Sequence, residues 1–87
     1  MKNVTMFTMA SCPYCRQAIR WMEELKCEHP EYAEVEVKMI DEVEQPEIAD
    51  RYDYYYVPTY YMDGKKLHEG AATKEKVESV YLAALSE

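Results

Sequence analysis

The sequence lacks any cluster of lysine and arginine, and its formal net charge is −7. A nucleic-acid footprint needs a basic stripe or patch and is therefore excluded. Anionic membrane surfaces are disfavoured on the same ground. No apolar run reaches the roughly 18 residues of a membrane-spanning helix. The start, Met1-Lys2-Asn3-Val4, carries neither the apolar core nor the small-residue cleavage site of a secretory leader, so a cytoplasmic location is expected. Glycine occurs only twice and proline four times, which excludes low-complexity or disordered composition. Cysteine is scarce and odd in number, at three, a poor basis for a disulfide framework. In a reducing compartment, a close cysteine pair points to catalysis or metal binding.

What is present suits one small globular unit. The chain has 87 residues, of which 48% are hydrophobic and 31% charged, and a single domain over residues 1–87 is expected. A domain of that length has a thin stability margin. Asp41, Glu42 and Glu44 read as a solvated acidic face.

Residues 3–8 alternate Val4 and Met6 against Thr5 and Phe7, a strand apolar enough to be central. Ser11 or Cys12 then offers a helix cap, and Pro13 suits the first helical position, where its missing N–H is no loss. A helix is predicted over 13–26, with Ala18, Met22 and Leu25 on one face and Ile19 and Trp21 beside them. Residues 27–31, with Pro30, read as a connection. Residues 34–40 alternate Val35, Val37 and Met39 inward with Glu34, Glu36 and Lys38 outward, predicting a second strand. A short helix is predicted over 44–52. Strands over 59–62 and 65–69 flank Asp63-Gly64, a tight hairpin turn, and Gly70 ends the second of them. A last helix over 73–85 carries Val77, Val80, Tyr81, Ala84 and Leu85 on one stripe. The order is β-α-β-α-β-β-α, an α/β fold. Its first two strands are joined by a helical crossover and should be parallel.

Cys12-Pro13-Tyr14-Cys15 is the pattern with the most chemistry in it. A thiolate, not a thiol, attacks disulfides, and a free thiol is mostly protonated at neutral pH. A helix N-terminus presents unpaired N–H groups and a partial positive charge, and both stabilise a thiolate on Cys12. Cys15 sits one turn on and can displace whatever Cys12 has bonded. Arg16 adds positive potential if its side chain turns toward the thiol. The competing reading is a zinc site from Cys12, Cys15, Cys27 and His29. The long gap between Cys15 and Cys27, and the strand-then-helix setting of the first pair, favour redox chemistry and no metal.

With these residues in place, the chain resembles the glutaredoxin and thioredoxin family over nearly its whole length. A strand, then Cys12-Pro13-Tyr14-Cys15, then Ala18 in the helix, looks like a dithiol glutaredoxin. Val57-Pro58-Thr59 looks like the family's second signature, in the right order before a hairpin. The resemblance implies a thioredoxin-like fold, a four-stranded mixed sheet with three flanking helices, and a cis peptide before Pro58. It implies a thiol–disulfide oxidoreductase with Cys12 and Cys15 catalytic. Pro13, Tyr14, Val57, Pro58, Thr59 and Gly70 would serve the motif and substrate binding. Val57 would pair through its backbone with a bound peptide or glutathione.

The match departs from the glutaredoxin pattern at three places. Met9 stands where many glutaredoxins carry a basic residue for a glutathione carboxylate. Tyr56 replaces the usual Thr before Val-Pro. His68-Glu69-Gly70-Ala71-Ala72-Thr73 has one glycine where that family has Gly-Gly and a small or acidic residue, an ending more like that of thioredoxin. Charge-assisted contacts contribute about 1.5–3 kcal/mol each, so losing two glutathione anchors weakens that ligand. The implied partners are disulfide-containing proteins, with glutathione or a thioredoxin reductase as electron donor. No bound cofactor is expected, and the chain is expected to be a monomer. Two further readings are an iron–sulfur carrier, as some glutaredoxins are, and a non-catalytic binding module. The weak glutathione anchors and Pro13 argue against the first, and the intact cysteine pair against the second.

The remaining candidates have plainer readings. Cys27 is expected to be a small, partly buried hydrophobe. His29 and His68 have no partner at metal spacing. Tyr54-Tyr55-Tyr56 and Tyr60-Tyr61 bracket the Val57-Pro58 loop, and alternation should send some rings inward and others outward.

Overall fold

A computed structural model describes residues 3–86. Its four strands form one sheet in the order β2-β1-β3-β4. Strand β1, Val4–Thr8, is central. It pairs parallel with β2, Val37–Asp41, and antiparallel with β3, Thr59–Met62. Strand β4, Lys65–Glu69, closes the antiparallel hairpin with β3. At its turn Asp63 has φ 55° and Gly64 φ 81°. Two successive positive φ values match the right-handed twist of the flanking strands, which is why a Gly stands second.

Three helices flank the sheet: α1, Pro13–Glu28; α2, Pro46–Ala49; and α3, Lys74–Leu85. One apolar cluster joins Val4, Met6, Tyr60 and Met62 of the sheet to Ala18, Met22 and Leu25 of α1 and Val77, Val80, Tyr81 and Ala84 of α3. The opposite face buries Phe7, Ile40 and Tyr61 against Ala49, with Tyr52, Tyr54 and Val57 around them. Full burial of each Val, Leu, Ile, Met or Phe side chain among these contributes about 1.5–3 kcal/mol. Phe7 is the hub of the second cluster, its ring centroid 4.6 Å from Tyr52 and 4.9 Å from Tyr54. β1 is thus covered on both faces, as its apolar composition predicts. The stripes predicted on α1 and α3 are the ones buried, with Leu85 only partly covered.

Several expectations are corrected. Helix α1 runs on through Cys27 to Glu28, and a 3₁₀ turn, Pro30–Glu34, fills the supposed connection. Tyr32 of that turn is buried and stacks on Tyr81 at 5.1 Å. Strand β2 therefore starts at Val37, three residues later than predicted. Met39, expected inside, is 47% exposed. β2 is an edge strand, and at Met39 its face on the α1 side is left largely uncovered, while Ile40 on the other face is covered near Ala49. Helix α2 is a single turn instead of the nine-residue span expected. Cys27 is exposed, not half-buried, because the C-terminal end of α1 turns that side chain away from the core. Asp41 is not merely solvated: its carboxylate accepts the N–H groups of Val43 at 2.8 Å and Ala10 at 3.2 Å. Among the described residues, no helix is long and apolar enough to cross a membrane.

Candidate active site

The loop from β1 into α1 sets the site. Cys12 is the N-cap of α1, with extended backbone, and its N–H donates to the Met9 carbonyl at 3.0 Å. Its own carbonyl accepts the Arg16 N–H at 3.2 Å, beginning the helical ladder. Pro13 follows at the first helical position and contributes no N–H. No side chain caps this end, so the first free N–H groups, those of Tyr14 and Cys15, are left to the Cys12 sulfur. The Asp41 carboxylate holds the loop from β2 through the Ala10 N–H. Arg16 ties it from the helix side, its guanidinium donating to the Ala10 carbonyl at 2.9 Å.

The two thiols differ in burial and in acidity. Cys12 is partly exposed, while Cys15 is 1% exposed beneath it. Burial alone pushes the Cys12 thiol up. The Cys15 N–H and thiol, the Tyr14 N–H and the Arg16 charge together outweigh that and hold it below its ordinary value of 9.0. Burial pushes the Cys15 thiol up as well, and there the rise prevails. The Thr8 hydroxyl and the Met9 backbone oppose it, while Cys12 adds to it as hydrogen-bond partner and as charge. Burial, with a charged sulfur on Cys12 adding to it, thus keeps Cys15 protonated. Among the described residues no carboxylate is buried beside the pair; the only buried polar side chain is Thr59.

The second motif faces the first. The Val57-Pro58 peptide is cis, and the Val57 carbonyl oxygen lies 3.9 Å from Cys12 Sγ. Thr59 closes this turn by donating its hydroxyl to the Tyr56 carbonyl. Gly70, at φ 91°, donates its N–H to the Pro58 carbonyl at 2.8 Å. At that positive φ a side chain would be strained. Residues 12–15, 57–59 and 70, far apart in sequence, therefore converge at one end of the sheet, where β1 ends and β3 begins. Cys27 and His29 do not join them. They lie at the opposite end of α1, roughly 20 Å away at 1.5 Å per residue, so the four-ligand zinc reading has no assembly to rest on. His68 Nε2 sits 3.0 Å from the Gly70 carbonyl oxygen.

Tyr14, Tyr55 and Tyr56 all stand out in solvent, Tyr55 at 86% and Tyr56 at 70% exposed. An open depression of about 240 Å³ beside the Cys12 loop is lined by Met9, Ala10, Ser11, Asp41, Val43 and Glu44. A larger one, about 370 Å³, lies over α2 between Glu42, Asp50 and Tyr54. It touches neither cysteine nor the Val57 turn, so size is no guide to the chemistry here.

Sequence reasoning missed three supporting residues. Asp41 carried a signal, since an Asp before a turn commonly accepts the N–H two residues on. Thr8 carried none beyond being the last residue of its strand. Glu69 also carried none. Its carboxylate accepts the backbone N–H groups of Tyr55 at 2.6 Å and Tyr56 at 3.0 Å.

The glutaredoxin family profile matches residues 4–67, which span both motifs. A thioredoxin of Methanocaldococcus jannaschii is 39% identical over 73 residues, 84% of this chain and 84% of that protein. A probable thioredoxin of Methanothermobacter thermautotrophicus is 32% identical over 75 residues, 86% of each. Among solved structures, Fasciola hepatica thioredoxin superposes with a TM-score of 0.70 at 26% identity, covering 95% of this chain and 80% of that one. An oxidised thioredoxin of Arabidopsis thaliana shares the fold at a TM-score of 0.72 and 22% identity, covering 97% and 78%. The chain belongs to the glutaredoxin/thioredoxin family, a family of thiol–disulfide oxidoreductases, and has its thioredoxin fold.

Proposed function

We propose that this protein reduces disulfides in polypeptide substrates by two successive exchanges, with Cys12 as nucleophile and Cys15 as resolving thiol. The observation that carries the reading is the asymmetry of the pair: an accessible sulfur easy to ionise, above a buried one held protonated. Cys12 thiolate attacks one sulfur of the substrate disulfide. That S–S bond breaks, the leaving sulfur takes a proton from solvent, and a mixed disulfide forms on Cys12. Cys12 now carries no charge, so its contribution to raising Cys15 disappears. Cys15 then gives up its proton to the departing substrate sulfur as it attacks Cys12 Sγ. The substrate leaves with two thiols, and the two electrons it gained leave a Cys12–Cys15 disulfide. The Val57 carbonyl, facing Cys12, supplies an edge on which an extended substrate segment can pair.

The reductant that restores the dithiol is proposed to be a thioredoxin reductase in preference to glutathione. Met9 and the single Gly70 stand where glutathione anchors would be needed, and the net charge of −7 repels that anion. The two archaeal relatives, a thioredoxin and a probable thioredoxin, support this choice. The test is disulfide reduction coupled in parallel to thioredoxin reductase and to glutathione with its reductase. Turnover is expected with the first and weak turnover with the second; the reverse overturns the choice of donor. Cys12→Ser should abolish turnover with either, and a Cys12→Ser protein that still reduces insulin would falsify the assigned nucleophile.

A further inference from the structure

We propose that Glu69 is a positioning residue for substrate binding: from the end of β4 its carboxylate holds the Tyr55–Tyr56 backbone, and with it the Val57 edge, in place for an extended polypeptide. The proposal rests on the reading of Cys12 and Cys15 given above.

The segment from the end of α2 to the start of β3 is anchored at its two ends, by Tyr54 stacked on Phe7 at 4.9 Å and by the Thr59 hydroxyl on the Tyr56 carbonyl, which leaves the amides of Tyr55 and Tyr56 between them to be held. It contains no helix or strand between Asp53 and Pro58, and its two consecutive tyrosines project into solvent. No backbone carbonyl accepts the N–H of Tyr55 or Tyr56 among the described residues. Both N–H groups go to Glu69 Oε2, at 2.6 Å and 3.0 Å. Hydrogen bonds to a carboxylate are about twice as strong as neutral ones, and two on successive amides fix the peptide plane between them. The residue that follows the strand, Gly70, holds the Pro58 carbonyl at 2.8 Å. The end of β4 therefore grips the loop on both sides of Val57, whose carbonyl faces Cys12 at 3.9 Å.

The plainer role for Glu69 is a surface ion pair, since its Oε1 takes Lys66 Nζ at 2.7 Å. Exposed pairs of that kind contribute little. Removing Lys66 should leave the backbone grip intact, so the two roles separate experimentally.

The test uses the full chain in a Cys27→Ala background, with Glu69→Ala, Glu69→Gln and Lys66→Met. Each is assayed for reduction of insulin and of bis-hydroxyethyl disulfide, and for iodoacetamide alkylation of Cys12 against pH. If the binding-competent loop falls to about a tenth of the population, apparent affinity falls by the same factor. Glu69→Ala should then raise KM for insulin about tenfold, with a much smaller change in kcat and in the small disulfide. The Gln variant keeps an acceptor oxygen and should recover most of the loss, and Lys66→Met should match the parent. Unchanged KM in Glu69→Ala, equal losses on both substrates, or a Lys66→Met protein as impaired as Glu69→Ala would each overturn the proposal. A parent protein inert toward insulin, with Cys12 still readily alkylated, would instead overturn the function on which it rests.

Discussion

Replacing Thr59 with Val removes one oxygen from the centre of the site and changes the shape of the side chain little. The Thr59 hydroxyl donates to the Tyr56 carbonyl and so closes the turn that carries Val57 and Pro58. The side chain is fully buried. A hydrogen bond of this type contributes about 0.5–1.5 kcal/mol net, and a buried carbonyl left without a donor costs about 1–3 kcal/mol. Tyr56 is largely exposed, so water replaces much of the lost donor, and the cost should lie near 1 kcal/mol. For a domain of this length that lowers the melting temperature by about 4–8 °C. Total stability is on the order of 5–10 kcal/mol, so the variant still folds. Thr59→Ser keeps the hydroxyl and loses a methyl, at about 0.8 kcal/mol, so both variants should melt at similar temperatures by circular dichroism. They should differ in activity: KM for insulin rises severalfold in the Val variant and stays near the parent value in the Ser variant. An unshifted melting temperature in Thr59→Val, or the same KM in both variants, would refute the role assigned to this hydroxyl.

Cys15→Ser should accumulate one substrate mixed disulfide per chain on Cys12, visible by intact mass, because the resolving thiol is gone; rapid release of substrate would remove Cys15 from that role. Because Cys12 is held below 9.0 in the fold, its alkylation rate in a Cys27→Ala protein should begin to fall at a lower pH than in the urea-unfolded chain. In linkage terms, the lowered thiol contributes stability above the unfolded value that is lost as pH falls through the folded one; superimposable alkylation curves would contradict the site electrostatics. Gly70→Ala should cost about 1–2 kcal/mol from the left-handed backbone and not from crowding, since an added Cβ meets only Tyr56 Cβ at 3.7 Å. An unchanged denaturant midpoint would count against that strain.

Much of this molecule was determined by residue order alone. Apolar periodicity marked the buried faces of α1 and α3, because burial on one face forces a regular spacing that survives in one dimension, while a short apolar run marked β1 and the Asp63-Gly64 pair marked the hairpin. Cys12 and Cys15 were legible for a similar reason: a helix start after a strand is a local feature, written in Pro13 and in the pattern around it. Only the tertiary structure decided what lies opposite them. The 3₁₀ turn that buries Tyr32, the exposure of Met39 on an edge strand, the Asp41 bond to Ala10 and the Glu69 grip on Tyr55 and Tyr56 all join parts of the chain with no common period. A carboxylate at a strand end looks alike in sequence whether it meets water or two backbone amides. Which of these it meets depends on the pairing register of β3 with β4 and on the path of the loop between α2 and β3, and neither is encoded within one stretch of the chain.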